Sequence, residues 1–218
     1  MPENNGRRIE RATQTLMEEV HRDFLLKMHE RFGISNLPRR VKIQIQRVEE
    51  SGLMDFRYCD NIRMFLDPNG NNASLPDDIS IGGTWLRIPN NSGLEGLWLE
   101  KYYPFWFYDR VYTCAHESAH YLHYIVNPGF YSDSATTDKK LPSIKGFSFH
   151  FRRDAVVTVG TLDYFKIYGD LQKIYRYVKP TVFEEEIWES YKNRKFKLKD
   201  LVKLSHEDLV RKNIFYKN

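Results

Sequence analysis

The 218-residue sequence predicts an α+β fold: a small, mostly antiparallel sheet packed with one central helix and further C-terminal helices. Three observations carry that expectation. From about 39 to 89 apolar residues alternate with polar ones, at the period of a half-buried strand. On either side the apolar spacing becomes three to four residues, the period of an amphipathic helix. The segments are divided by turn residues, with no linker, repeat or low-complexity tract, so a single domain spanning 1–218 is expected.

The elements follow in chain order. Residues about 7–32 read as a helix with Leu16, Val20, Phe24 and Met28 recurring every fourth position and Gly33 placed to end it. The runs "VKIQIQRV", "IRMFLD" and "ISIGGTWLRIP" read as strands, and "DPNGNN" and "SLPDD" between them supply the Gly, Pro, Asn and Asp of turns. A Pro104-containing aromatic stretch leads into a helix over about 105–127, which Asn127, Pro128 and Gly129 terminate. Residues 130–160 read as irregular with one strand pair in "GFSFHFRRDAVVTV". From about 162 to 213 the pattern is helical again.

Composition limits the function. Hydrophobic residues make up 41%, aromatic residues 15% and charged residues 28%, which describes a globular chain able to bury a core. No apolar run approaches the roughly 20 residues of a membrane span, and the N-terminus lacks the apolar stretch of a secretory signal; an intracellular location is expected, with association with a virus particle open. The net charge of +4, from 33 basic and 29 acidic residues, is scattered, so nucleic acid is not indicated. Cys59 and Cys114 are far apart, which argues against a disulfide framework or a paired-cysteine metal site.

The stretch "YTCAHESAHYLHYIVNPG" carries chemistry. On a helix, His116 and His120 lie about 6 Å apart along the axis and about 40° apart around it, so both imidazoles serve one spot. Zn²⁺ takes neutral imidazole nitrogens at about 2.0–2.1 Å. Glu117 adjoins the first ligand, where it reaches a metal-bound water without entering the coordination sphere. With 7 His and 15 Glu in 218 residues, chance yields roughly 0.015 such patterns. Val111, Ala115, Ala119, Leu122 and Val126 form an apolar stripe that leaves the histidines on the neighbouring side, toward a cleft. His123, about 10 Å along the axis from His116, is too far to share an ion with both.

A catalytic zinc takes a third protein ligand. Downstream sources are Glu184, Glu185 and Glu186 in "TVFEEEIWESY", Asp163 in "GTLDYFKIYG", Asp133 and Asp138 in "YSDSATTD", and His150 in "FSFHF". Thr181 with Glu184 reads as a capping box, which gives Glu184 a structural task.

The motif His116-Glu117-x-x-His120, on a helix after a small sheet and before an acidic helix, resembles the zincin metallopeptidases, and among them the gluzincins of thermolysin type. The resemblance covers about 79–192. It implies a glutamate ligand on a second helix with an orienting acid one turn later, the spacing of Glu185 and Glu189. It therefore implies zinc held by His116, His120 and Glu185. The run "GTLDYFKIYG" is similar to the signature of aspartate-liganded zincins, with Asp163 one residue early and Tyr168 one late. The expected function is zinc-dependent hydrolysis of peptide bonds in peptide or protein substrates. Glu117 is the general base; His150, Tyr164 and Tyr168 are candidate donors to the oxyanion, and the strand "ISIGGTWLRIP" is a candidate edge for extended substrate. The alternative is a zincin-like structural or interaction module of a larger assembly with weak or no hydrolysis.

Overall fold

The computed structural model describes residues 3–40, 43–52, 55–64, 82–89, 95–132, 149–169, 171–178, 182–193, 196–212 and 214–215, with side chains in 15–40, 107–108, 111–131 and from 154 onward within those ranges. The helices are α1 (Glu3–Met28), α2 (Glu95–Val126), α3 (Gly129–Ser132), α4 (Phe149–Tyr168), α5 (Leu171–Tyr177), α6 (Val182–Lys192), α7 (Leu198–Leu201) and α8 (His206–Arg211).

The expected α+β class is corrected. Over the part of the chain that can be interpreted in detail, 75% is helical and none is strand, so the body that carries the candidate residues is all-helical. Extended backbone at Ile43–Gly52, Asp55–Met64 and Gly82–Pro89 pairs only between sequence neighbours, in an antiparallel meander.

The second correction concerns 146–159, expected as a strand pair. Residues 149–168 form α4, and every position from Ala155 to Phe165 is buried. A helix covered on all sides shows neither a 3.6-residue nor a two-residue period, so alternation among Val156, Thr158 and the phenylalanines before them misleads. Length is the better guide. Eleven consecutive buried positions exceed the four to eight of a buried strand.

The chain groups into two units, one of Met1–Arg22, Arg39–Glu117 and Arg176–Val178, the other of Asp23–Pro38, Ser118–Tyr175 and Lys179–Asn218. In the first, Cys114 donates its Sγ–H to the Met17 carbonyl at 3.1 Å, and Tyr108 stacks on Tyr177 with centroids 4.7 Å apart. Cys114 is a buried core residue; the Cys59 side chain lies outside the described residues.

In the second unit, α4 packs against α6 and α7. The end of α1 joins them by a local device. Ile34 N–H bonds to the His29 carbonyl at 2.9 Å and Gly33 N–H to the Glu30 carbonyl at 2.9 Å, with Gly33 at φ 81°. This 6→1 and 5→2 pairing closes the helix through a left-handed residue, which glycine adopts without strain. It directs Phe32 inward, where the ring is fully buried with Phe24 and Met28. Arg31 Nε donates to Asp163 Oδ2 at 2.9 Å, and Tyr164 Oη to Asp23 Oδ2 at 2.5 Å, so α1 is bound to α4 by polar contacts as well as packing.

No helix among the described residues is long and apolar enough to cross a membrane.

Candidate metal centre

His116 and His120 lie on one helix, α2, and are related by helical geometry, one turn apart. From Glu117 to His123 every residue is buried, with Glu117 5% and His120 7% exposed. The expected cleft-facing side is therefore largely enclosed. His116 keeps partial exposure, and the Asp154 side chain is 37% exposed, so solvent reaches the group from that side.

The carboxylate that meets the histidines is Asp154 of α4. One ligand atom from each of His116, His120 and Asp154 lies within 4.8 Å of the others. His120 Nε2 and Asp154 Oδ1 are 3.4 Å apart. A charge-assisted hydrogen bond would be about 2.7–2.9 Å, whereas ligands on a tetrahedral zinc with bonds of about 2.0–2.1 Å are separated by about 3.3–3.4 Å. The His120–Asp154 pair has that separation, and two imidazoles with one carboxylate are a donor set of the kind zinc takes.

Glu185, implied by the resemblance, is not in this group. It is exposed on α6, where Glu184, Glu185 and Glu189 face Tyr175; burial first, and then these charges, push the Tyr175 phenol up to about 12. Three acids in the first half of α6 complement its dipole. Thr181, the expected cap of that helix, lies outside the described residues, as do Asp133 and Asp138. Asp163 is held by Arg31 and sits nine residues beyond Asp154, about 14 Å along α4.

All three expected oxyanion donors lie on α4. Tyr168 is 42% exposed and fourteen residues beyond Asp154, about 21 Å along the axis, with Lys27 Nζ 5.6 Å over its ring. That distance separates it from the group of His116, His120 and Asp154. Tyr164 is engaged with Asp23. His150 lies one turn before Asp154 on α4, and its side chain is outside the described residues.

The expectation missed two residues in the site. Asp154 was hidden by the strand reading of its segment; the length of the apolar run after it was the available signal. Tyr131 was hidden at the start of 130–160, read as irregular. The chain turns back after α2, with Phe130 N–H bonded to the Asn127 carbonyl at 3.1 Å and Tyr131 N–H to the Pro128 carbonyl at 3.0 Å. Tyr131 Oη then stands 3.2 Å from His120 Nδ1 and 3.0 Å from His123 Nδ1. His123 is fully buried and sits behind the first histidine pair through Tyr131.

Comparison of the chain with protein-family models, curated proteins and solved structures finds no match.

Proposed function

We propose that the chain is a zinc-dependent hydrolase of peptide bonds, with His116, His120 and Asp154 holding the metal and Glu117 acting as general base. One observation carries this reading: two imidazoles of one helix and a carboxylate of another present ligand atoms within 4.8 Å, with a glutamate beside the first imidazole. The reading keeps from the zincin resemblance the motif on α2 and replaces its third ligand.

Zinc bound by these three side chains supplies a water of lowered pKa and a Lewis acid for a substrate carbonyl. The residues of the chain do the rest. Glu117 lies three residues before His120 on α2, the spacing from which its carboxylate would serve the space that imidazole faces. There it accepts a proton from the attacking water and returns it to the leaving amine. Burial of Glu117 limits competing water around that carboxylate. The partial exposure of His116 and Asp154 marks the side from which substrate enters.

Metal analysis of the purified chain, paired with digestion of a peptide library by wild type and Glu117→Gln, tests the proposal. One zinc per chain and cleavage reduced at least about 100-fold in Glu117→Gln, with zinc retained, are expected. Zinc with no cleavage by either protein identifies a metal-holding structural module instead. A wild type that takes up no zinc ends both readings.

A further inference from the structure

We infer that Tyr131, backed by His123, is a positioning residue that sets the proton and the orientation of the His120 imidazole for metal binding; this rests on the zinc reading above. His120 Nε2 faces Asp154, so Nε2 is the nitrogen that would give its lone pair to the metal. A neutral imidazole then carries its proton on Nδ1. Nδ1 points at Tyr131 Oη, 3.2 Å away, and donates to it.

The hydroxyl has one proton of its own to direct. Its two acceptors are His123 Nδ1 at 3.0 Å and the His120 carbonyl at 3.2 Å. A hydroxyl turned to His123 Nδ1 requires the His123 proton on Nε2; a hydroxyl turned to the His120 carbonyl lets His123 Nδ1–H donate to the hydroxyl oxygen. Either order, with His120 Nδ1–H donating to Tyr131, leaves no donor facing a donor. It also commits His120 to the tautomer that a metal needs.

This arrangement is built into the fold. Tyr131 is 5% exposed and His123 fully buried, and their rings meet edge to face with centroids 5.3 Å apart. The short turn that presents Tyr131 is gripped from the C-terminal segment. Asn127 Nδ2 donates to the carbonyls of Val202 at 3.3 Å and Leu204 at 3.1 Å. His206 Nε2 donates to the Phe130 carbonyl at 3.0 Å, and the two rings stack with centroids 3.7 Å apart. The residues after 196, which no motif marks, thereby hold the hydroxyl against α2.

The test is zinc affinity of the full chain by chelator competition, for wild type, Tyr131→Phe, His123→Ala and His123→Asn. Asparagine returns an acceptor oxygen near the position of His123 Nδ1. Tyr131→Phe and His123→Ala should weaken zinc binding about 10- to 100-fold, and His123→Asn should recover to within about 3-fold of wild type. The visible spectrum of the cobalt-loaded protein should change in the two weakened variants and return in His123→Asn, which a general loss of packing would not produce. If Tyr131→Phe fails to fold by circular dichroism, the His123→Ala and His123→Asn pair decides alone. Zinc affinity within about 2-fold of wild type in both Tyr131→Phe and His123→Ala overturns the inference while the zinc reading stands. Absence of zinc binding in wild type overturns the zinc reading itself, and this one with it.

Discussion

Replacing Asp154 with alanine removes one of three protein ligands and leaves two imidazoles on one helix. Structural zinc sites bind with about 10–16 kcal/mol shared over four ligands, so one ligand is worth about 3 kcal/mol, or roughly a 100-fold change in affinity. The metal-free protein should hardly notice: the Asp154 side chain is 37% exposed, and a partly solvated carboxylate–imidazole pair contributes about 0–1 kcal/mol. The contrast becomes a thermal assay. At zinc 100 times the wild-type Kd, binding stabilises the folded chain by about 2.7 kcal/mol; a 100-fold weaker variant gains about 0.4 kcal/mol at the same zinc. For a chain of this length that is a zinc-induced rise in Tm of about 5–11 °C in wild type and about 1–2 °C in Asp154→Ala. Glu185→Ala, on an exposed face of α6, should keep the wild-type rise. The reverse pattern, with the rise lost in Glu185→Ala and kept in Asp154→Ala, refutes the ligand set.

Gly160→Ala should destabilise the chain despite better helix propensity. An added Cβ would lie 2.6 Å from Phe32 Cζ and 3.1 Å from Phe32 Cε2, and overpacking of about 1–3 kcal/mol exceeds the gain of about 1 kcal/mol; a Tm lowered by a few degrees, and less than additive loss in combination with Phe32→Leu, checks it. Burial, and secondarily the Arg40 charge, lower the His21 imidazole to about 4. The unfolded state then takes up a proton near 6.5 that the folded state refuses. His21 therefore contributes full stability above about pH 6.5, and that share falls by on the order of 3 kcal/mol as pH drops toward 4. Urea unfolding at pH 7 and pH 4.5 should show this fall shrink in His21→Leu. Arg31→Met should cost about 2 kcal/mol in urea unfolding, because it strips a nearly buried carboxylate, Asp163, of two charged hydrogen bonds.

What was legible in the sequence was local. The helix period of α1 and the glycine that closes it can be read from residues within a few positions of one another, because backbone sterics and the 3.6-residue turn act over that range. The same holds for the pairing of His116 with His120: four residues apart on a helix is a statement about direction that needs no other part of the chain.

Tertiary structure decided the rest. The strand pair expected in 146–159 failed because Ala155–Phe165 of α4 is buried throughout, and full burial erases the periodicity from which helix and strand are told apart. The acid-rich stretch before Trp188 was the conspicuous source of a third ligand, yet acids at a helix start serve the dipole as readily as a metal. Which carboxylate reaches His120 depends on how α4 lies against α2, where a Cβ at Gly160 would stand 3.7 Å from Ala119. Asp154 enters the site, and Tyr131 turns back onto it, through contacts between residues 11 to 77 positions apart. Such contacts leave no period and no motif, because their geometry exists only once the helices have packed.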